Sequence, residues 1–351
     1  MAGRGEPLKA VVLPRHGGPE VLTFVGDHPD PVPGPEDVLV RVHAASVNRL
    51  DLHLRRGLPA VKLPLPHILG ADLAGEIAAV GSDVADLEVG ERVTANPGIS
   101  CGECEYCARG EDPLCVAYRV LGEHLPGTYA EYAVVPARNI ARLPPDFPMD
   151  RAAAAPLVFM TAWRLLVSQA RIRPGEDVLI LGAGSGVSTA AIQIAKLAGA
   201  TVFVTSSSDD KLRKAKALGA DVLVNYKEMP WSKAVWELTG KRGVDVVVDH
   251  VGAETFKDSI RTLRKGGRLV TPGATSGPLA EIDVRYVFWR QVHIIGSTMG
   301  NRREFEEVMK LVFMGRLKPI VDRTFPLEET SEAHAYIERG DQFGKVVLTA
   351  A

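Results

Sequence analysis

One stretch of the chain limits its fold more than any other: an apolar strand, a glycine-rich loop and then a helix. Residues 178–181 are wholly apolar, residues 182–188 read Gly-Ala-Gly-Ser-Gly-Val-Ser, and the pattern predicts a helix over 187–197. Glycine lets the backbone approach a ligand closely, and a helix N-terminus offers free N–H groups and partial positive charge to a phosphate. The loop therefore predicts a dinucleotide site. The residues assigned to it are Gly182, Gly184, Ser185, Gly186 and Val187.

The sequence after this loop continues to alternate strands with helices. Such alternation, with nearly continuous apolar strands, is typical of a parallel sheet covered by helices on both faces. A tight strand–helix turn needs glycine in any case, but this one lies within a run of six strands. We predict an α/β fold with a Rossmann doubly wound parallel sheet. Its strands are predicted at 178–181, 201–205, 222–224, 244–249, 267–270 and 293–296, and its clearest helices at 187–197, 211–218 and 255–263.

The first 150 residues have a different character, because their short strands are broken by glycine and proline. This pattern predicts an all-β, barrel-like half. A length of 351 residues is in keeping with two domains. The predicted strands of this half lie at 9–13, 37–45, 75–80 and 92–95, and beyond residue 298 a helix at 303–314 and strands at 322–326 and 345–350 follow.

All four cysteines fall within residues 101–115. A disulfide scaffold would scatter them, whereas a cluster in a chain without a recognisable secretion signal indicates a metal. Four thiolates complete a tetrahedral zinc site and leave no position for a substrate. An iron–sulfur cluster is the alternative, but two gaps of two residues followed by one of seven fit zinc better. The predicted ligands of one structural Zn²⁺ are Cys101, Cys104, Cys107 and Cys115.

Charge and hydropathy restrict the partners of the chain. The net charge is −2 with both signs mixed, so nothing indicates binding to nucleic acid or to an anionic membrane. No run of about 18 apolar residues predicts a membrane span, and the N-terminus does not resemble a secretory signal. We expect a cytoplasmic protein with a small-molecule substrate, assembled as a homodimer or homotetramer.

The choice between NAD(H) and NADP(H) depends on the end of the second predicted strand. About 20 residues after the glycine loop, an NAD-specific Rossmann protein carries Asp or Glu for the ribose hydroxyls. Here that position is Ser206, within a run of four hydroxyl residues. With Lys211 and Arg213 nearby, NADP(H) is favoured, although these two residues also fit a solvated helix face. Asp209 and Asp210 leave NAD(H) open, because they follow one turn later.

With a cysteine lobe before a Rossmann sheet, the chain resembles zinc-containing alcohol dehydrogenases of the medium-chain dehydrogenase/reductase family. It is most similar to the bacterial branch labelled zinc-type alcohol dehydrogenase or quinone oxidoreductase. The resemblance implies a GroES-like catalytic domain (1–157 and 299–351, with the zinc lobe at about 96–118), a Rossmann domain (158–298) and an active site in the cleft. The stretches that carry the resemblance are 9–12, 80–81, 89–93, 127–132 and 344–348.

The resemblance also implies a catalytic zinc, and here the chain departs from its family. The three ligand positions read Asn48, Ala71 and Leu157. Alanine and leucine have no donor atom, and a neutral amide is a poor zinc ligand. A site improvised from Asn48, Asp72 and His53 is the alternative. Without a Lewis acid an alkoxide is not easily stabilised, which disfavours alcohol oxidation.

Without these zinc ligands, the chain resembles the zinc-free reductases of the same family. In those enzymes hydride is transferred to a quinone or to the β-carbon of a conjugated carbonyl compound. Hydrogen bonds must then stabilise the enolate. We predict that the Asn48 amide holds the carbonyl oxygen, that His53 donates the proton, and that Asp51 orients its neighbours. Leu50 interrupts the family's proton relay, so His53 also fits a surface histidine. An alcohol or aldehyde dehydrogenase, and a cofactor-binding protein with little turnover, are the alternative functions.

Three further assignments come from the resemblance alone. They place Thr161 near the nicotinamide, Gly273 beside its amide group and Lys345 at the pyrophosphate. His67, His124 and His250 are interpreted as structural.

Overall fold

The structure, a computed structural model, describes residues 8–59 and 61–350, and the chain divides into two compact units. The first consists of Met1–Leu157 and Asn301–Ala351, and the second of Val158–Gly300. Residues 1–7, which the predicted catalytic domain includes, lie outside the described residues. Among the residues that are described, no helix is long and apolar enough to cross a membrane.

The strands are β1 (Leu8–Leu13), β2 (Thr23–His28), β3 (Asp37–Val47), β4 (His67–Ile68), β5 (Asp72–Val80), β6 (Arg92–Ala95), β7 (Gly98–Ile99), β8 (Arg119–Val120), β9 (Tyr132–Pro136), β10 (Ile140–Arg142), β11 (Asp177–Ile180), β12 (Thr201–Ser206), β13 (Val222–Asn225), β14 (Val244–Val248), β15 (Leu263–Thr271), β16 (His293–Gly296), β17 (Val321–Pro326) and β18 (Lys345–Thr349). The α-helices are α1 (Arg49–Arg56), α2 (Glu105–Ala108), α3 (Met149–Ala153), α4 (Pro156–Trp163), α5 (Gly186–Leu197), α6 (Asp209–Ala217), α7 (Trp231–Leu238), α8 (Phe256–Thr262), α9 (Val284–Arg290), α10 (Arg302–Phe313) and α11 (Thr330–Glu338).

The first unit is built around a seven-stranded sheet. Its order is β10-β6-β5-β3-β18-β17, with β9 also paired to β3. Three ends meet in the middle of this sheet, because β3 ends at Val47 where β5 begins at Asp72 and β18 begins at Lys345. Smaller sheets, β2-β1-β4 and β7-β8, complete the unit. The pairing of β3 with β5 and β18 therefore gathers polar residues from distant parts of the chain where these three central strands begin or end.

The core of the first unit follows from strand alternation. Val40 and Val42 on β3 are buried while Arg41 between them is exposed, as expected when side chains alternate between the two faces of a strand. Val346 and Leu348 of β18 are buried in the same hydrophobic cluster. The C-terminal strand is thus an integral part of this core.

The second unit contains a six-stranded parallel sheet of order β13-β12-β11-β14-β15-β16. All five residues of β14 are buried, as expected for a strand with helices on both faces. The predicted Rossmann fold is confirmed, and each of its six predicted strands is present. The largest difference is in β15, which begins at Leu263, four residues before the predicted start at 267. The order of the strands reverses at β11, which lies between β12 and β14, and such switch points form ligand crevices at the carboxyl ends of the strands.

Candidate active site and metal centre

The four cysteine thiols lie together in the lobe around α2. Their sulfur atoms are all within 4.8 Å of one another. The Sγ–Sγ distances include 3.5 Å for Cys104–Cys107 and for Cys101–Cys115, and 3.8 Å for Cys101–Cys107. A tetrahedral zinc ion with Zn–S bonds of about 2.3 Å requires separations of about 3.8 Å. The donor set and its spacing therefore fit a closed structural zinc site.

Backbone hydrogen bonds lower the pKa of Cys101 and of Cys104, whereas burial raises the pKa of Cys107 to about 11. The N–H of Cys101 donates to Cys115 Sγ at 3.2 Å, and the N–H of Cys104 donates to Cys101 Sγ at 3.4 Å. Backbone hydrogen bonds from Cys107 and Val116 hold the pKa of Cys104 down at about 6. Metal binding requires deprotonated thiols, so these contacts favour the ligand form.

The lobe also holds the start of α10. The Asn301 Nδ2 donates to the Gly110 carbonyl at 2.7 Å, and the Arg302 N–H donates to Asp112 Oδ2 at 2.8 Å. Asn301 in turn caps α10, because its Oδ1 accepts from the Glu304 N–H at 2.8 Å. The metal lobe is thereby joined to the point where the chain re-enters the first unit.

In the second unit the glycine loop forms a turn between β11 and α5. Gly182 has a φ of 66°, a left-handed conformation that favours glycine. Ser185 precedes α5 and caps it, since its Oγ accepts from the Ser188 N–H at 3.0 Å. Gly186 and Val187 lie in the first turn of α5, whose N–H groups have no acceptor within a helix. The loop thus presents N–H groups of the kind that bind phosphates at a helix N-terminus.

Residues from both neighbouring strands hold this loop in place. On one side, the Gly182 N–H donates to Thr205 Oγ1 at 3.3 Å and the Ala183 N–H to the Thr205 carbonyl at 2.9 Å. On the other side, the His250 Nε2 lies 2.9 Å from the Leu181 carbonyl, which requires a proton on that nitrogen. Residue patterns could not predict this contact, because the pairing of β11 with β14 is what brings His250 next to the loop.

Two more residues assigned to the cofactor lie in the second unit. Thr161 is buried, and its hydroxyl has no hydrogen-bond partner among the described residues. Gly273 lines a cavity of about 500 Å³ at the carboxyl ends of β15 and β16, and a Cβ atom added there would meet nothing within 4 Å. A bound cofactor would explain both the unpaired buried hydroxyl of Thr161 and the empty space in front of Gly273. The residues of this unit therefore fit a dinucleotide.

The carboxylates that left NAD(H) open are engaged elsewhere. Asp209 Oδ1 accepts from Asn225 Nδ2 at 2.8 Å. Asp210 pairs with Arg213 at 3.2 Å and with Lys214 at 3.0 Å. At the strand end, the Ser206 Oγ accepts from the Ser208 N–H at 3.2 Å. Neither aspartate therefore takes the ribose-binding role of a carboxylate at the end of β12, where Ser206 lies. The Arg213 side chain pairs within its own helix, α6.

In the first unit, three strand ends form a buried polar cluster around Lys345. Its Nζ donates to the Val47 carbonyl at 2.9 Å and to Asn48 Oδ1 at 2.5 Å, and it lies 3.4 Å from Asp72 Oδ2. Asn48 Nδ2 donates to Asp72 Oδ2 at 2.9 Å, and makes a longer contact of 3.4 Å with the Ser46 carbonyl. Ser46 Oγ donates to the same Asp72 oxygen at 2.8 Å.

This cluster corrects the prediction for Lys345 and narrows the prediction for Asn48. Lys345 does not extend towards a pyrophosphate, because its amine is buried and directed at three oxygens of its own unit. The Asn48 amide is not free either, since one of its N–H bonds is committed to Asp72. Only the N–H that makes the 3.4 Å contact remains weakly bound. A role for Asn48 towards a substrate depends on that second N–H.

The same residues do not fit the catalytic zinc that the family resemblance implies. Ala71 has no donor atom, and Leu157 contributes only its backbone N–H, which donates to Asp72 Oδ1 at 2.9 Å. The oxygens of Asn48 and Asp72 already face a positive charge on Lys345. The improvised site of Asn48, Asp72 and His53 conflicts with this ammonium. No step of the reaction is therefore assigned to a metal at this position.

Asp51 is the centre of a second buried network. Its carboxylate accepts from the Asn48 N–H at 2.7 Å, from the Tyr129 hydroxyl at 2.9 Å and from the Gly70 N–H at 3.2 Å. His334 Nε2 lies 3.3 Å from the Tyr129 hydroxyl, while its Nδ1 accepts from Arg55 at 3.2 Å. Asp51 thus fixes the beginning of α1 and the segment that leads into Asp72.

Burial shifts the pKa values of Asp51 and His334, the two ends of this network. It raises the pKa of Asp51 to about 6, although hydrogen bonds from Asn48 and Tyr129 oppose the shift. It lowers the pKa of His334 to about 3, and the neighbouring charge of Arg55 acts in the same direction. His334 is therefore neutral at physiological pH, and its proton lies on Nε2 because Arg55 can only donate.

His53 lies half-buried on α1 with no hydrogen bond to its ring among the described residues. Burial lowers its pKa, and the charges of Arg49 and Arg56 lower it further. Arg49 is a residue that sequence reasoning missed. Its guanidinium is half-buried and, within the described ranges, makes no hydrogen bond or ion pair. Such a guanidinium is suited to an anionic group of a ligand.

Comparison with known proteins identifies the family. An alcohol dehydrogenase GroES-like domain matches residues 34–145, and a zinc-binding dehydrogenase domain matches residues 186–314. The acryloyl-coenzyme A reductase of Sulfurisphaera tokodaii is 32% identical over 343 residues, which cover 97% of this chain and 99% of the relative. The chain belongs to the zinc-type medium-chain dehydrogenase/reductase family. This confirms the resemblance, and the protein is an NAD(P)-dependent oxidoreductase.

Other members of the medium-chain family differ in the activity that their names state. A solved structure titled as an NAD-dependent alcohol dehydrogenase has 49% sequence identity and a TM-score of 0.93, and the match covers 98% of this chain and 100% of that one. The human quinone oxidoreductase is 29% identical over 355 residues, 99% of each chain. The family thus defines the class of reaction, and the choice of substrate must be argued from the site.

Proposed function

We propose that this medium-chain enzyme uses NADPH to reduce a quinone or an activated carbon–carbon double bond, without a catalytic metal. The observation that carries the proposal is the Lys345 ammonium, which fills the space between Asn48 and Asp72. Alcohol oxidation in this family type depends on a Lewis acid to stabilise the alkoxide. A conjugated carbonyl compound is already electrophilic and needs only hydrogen-bond donors for the charge that develops on its oxygen. The names of two relatives, an acryloyl-coenzyme A reductase and a quinone oxidoreductase, support this substrate class.

We assign the individual steps of the reduction to residues of the chain. When bound, NADPH supplies the hydride. Asn48 contributes its second amide N–H, which exchanges the 3.4 Å contact with the Ser46 carbonyl for the substrate oxygen. His53 has an exposed edge and no other partner among the described residues, so we assign it the delivery of the proton. Arg49, rather than Lys345, is the cation that we assign to an anionic group of a ligand.

The decisive experiment measures NADPH oxidation with four classes of substrate: quinones, enones, enoyl thioesters of coenzyme A, and aldehydes. We expect turnover with at least one of the first three classes and little with simple aldehydes. Retained activity after the protein is treated with a chelator that spares the thiolate site would support metal-free reduction. Turnover confined to aldehydes and alcohols would contradict the proposal.

A second candidate function is an alcohol or aldehyde dehydrogenase. It is favoured by the 49% identity with a structure titled as an NAD-dependent alcohol dehydrogenase. The same screen separates the two functions, because a dehydrogenase should also oxidise alcohols with NAD⁺ or NADP⁺. Such activity would require another means of stabilising the alkoxide, since the Lys345 ammonium stands where the metal would bind.

For the cofactor we propose a preference for NADPH over NADH. Ser206 ends β12 with a hydroxyl where NAD-specific enzymes carry a carboxylate. Asp209 and Asp210, the alternative ribose partners, are occupied by Asn225 and by basic residues of α6. A 2′-phosphate near Ser206 would therefore meet hydroxyls rather than a like charge.

Replacing Ser206 by Asp should invert this preference. The new carboxylate would repel the 2′-phosphate and accept from the ribose hydroxyls, so we expect the ratio of the NADPH and NADH dissociation constants to change by about 10². Fluorescence titration of both cofactors measures the ratio. Ser206→Ala is the matched control, because it removes the hydroxyl without adding charge and should change the ratio only slightly. Tighter binding of NADH by the unmodified protein would contradict the proposed preference.

We also propose that the protein is a homo-oligomer, formed through the β16 edge of the second unit. β16 ends the sheet, and α9, which precedes β16 in the chain, exposes Phe288 and Trp289. An open strand edge pairs readily with another strand, and a two-fold axis allows one edge to pair with its own copy.

Light scattering after size exclusion should give a dimer or a tetramer. The combined Ile294→Lys and Trp289→Glu variant should be reduced in size, whereas Leu114→Glu on the exposed zinc lobe should not. An unmodified protein that elutes as a monomer would refute the proposal.

A further inference from the structure

Lys345 is buried to a degree that is unusual for a lysine side chain. Its side chain is 4% exposed, and that of Asp72 is fully buried. Lysine is almost never buried to this extent unless it is paired. Burial lowers its pKa, and the charges of Asp72 and Asp51 oppose the shift. A buried ion pair is often no more stabilising than apolar side chains of the same volume. Stability alone is therefore a weak explanation for this charge.

The surroundings of the ammonium have the chemistry of a cation site. Three oxygens from two separate parts of the chain face the Nζ: the Val47 carbonyl, Asn48 Oδ1 and Asp72 Oδ2. One of them is a carboxylate, so the site supplies a formal negative charge. A free divalent ion would have to displace a cation that is covalently part of β18. The ammonium and a metal ion are therefore alternatives at this position.

The ammonium also determines which way the Asn48 amide points. It can only donate, so it faces the amide oxygen, and the Asp72 carboxylate can only accept, so it faces the amide nitrogen. A positive charge on the carbonyl side polarises the amide and strengthens its N–H groups as donors. The orientation and the donor strength of Asn48 thus both depend on Lys345.

We propose that the Lys345 ammonium is the built-in cation of this site: it excludes a metal ion, and as a positioning residue it orients and polarises the Asn48 amide for the substrate oxygen. This inference rests on the proposed function, because it assigns Asn48 to the substrate.

The test separates the charge from its structural effect. Lys345→Met keeps the length of the side chain and removes the charge, which leaves Asp72 as an uncompensated buried carboxylate. The double variant Lys345→Met with Asp72→Asn removes both charges. We expect the single variant to lose thermal stability and the double variant to regain most of it. In both variants kcat should be about 10- to 100-fold below that of the unmodified protein, while the dissociation constant of NADPH stays within about twofold.

The outcomes are distinct. If the double variant regains kcat together with its melting temperature, Lys345 acts only in folding and the proposal is wrong. Full activity of the single variant overturns it as well. Titration with Co²⁺, with zinc retained in the cysteine lobe, should give no new metal absorption in the unmodified protein, and a cobalt ion bound at Asn48 and Asp72 would refute the exclusion of metal. If the substrate screen finds alcohol oxidation instead of reduction, the proposed function fails, but the same variants assayed on that alcohol still test Lys345.

Discussion

Cys104→Ser is expected to lower both the zinc content and the stability of the protein. The four sulfur atoms form a single closed site, so the unmodified protein should hold about one zinc ion per chain. Zinc binds only the folded lobe, and its binding free energy is therefore part of the folding free energy. Loss of one thiolate should reduce the melting temperature by roughly 10 °C or more, if several kcal/mol are lost. Elemental analysis and calorimetry measure the two effects.

The matched control lies in the same lobe. Glu105 is exposed and its ion pair with Arg109 lies at the surface, so the Glu105→Gln variant should keep its zinc and its melting temperature nearly unchanged. A value near two zinc ions per chain in the unmodified protein would contradict the loss of the catalytic site. Iron and inorganic sulfide in place of zinc would show that the alternative reading of the cysteine spacing is correct.

Asn48→Ala is expected to reduce turnover with the best substrate by about 10- to 100-fold. Loss of one donor to a developing oxyanion typically costs about 10²–10³ in rate, and the effect should be smaller where an enolate spreads its charge. The dissociation constant of NADPH should remain nearly the same, because the cofactor residues lie in the other unit. Steady-state kinetics and a cofactor titration separate these two quantities.

Two further variants make this result interpretable. Asn48→Asp keeps an oxygen for Lys345 but removes both N–H donors, so it should be as impaired as the alanine variant. Ser46→Ala removes a hydrogen bond to Asp72 without touching the amide, and it should retain most of the activity. If Asn48→Ala turns over every substrate at the rate of the unmodified protein, the amide only fills space and its assignment to the substrate is wrong.

The Rossmann unit was predictable because its signals are local. Continuous apolar strands, a glycine loop and amphipathic helices each occupy one short window, and β16 was even predicted with its observed bounds. The thiolate cluster was predictable for the same reason, since its four ligands lie within one loop.

Helix α1 was missed for a physical reason. Its residues Arg-Leu-Asp-Leu-His-Leu-Arg-Arg alternate like a strand, with leucine at every second position. The face that is buried includes Asp51 and Arg55, whose charges hide the helical period from any hydrophobic pattern. The partners that make this burial acceptable, Tyr129 and His334, come from distant segments and leave no local signal.

The misassignment of Lys345 has a similar cause. The resemblance identifies its position in the fold, but not the direction of its side chain. That direction depends on the three oxygens at the ends of β3 and β5, and these meet β18 only through strand pairing. The pairing cannot be read from residue patterns, because it joins residues 298 positions apart.

The same separation affects the order in which the protein can fold during synthesis. At about 5–20 residues per second, roughly 15–60 s pass between the translation of Val47 and that of Lys345. The second unit is continuous in sequence and can form during this interval, before the first unit is complete. Until β18 is made, the end of β3 remains an unpaired edge, and such edges bind other strands readily. The nascent chain thus carries an aggregation-prone edge for most of its synthesis, and chaperones that cover it should improve the yield of the folded enzyme.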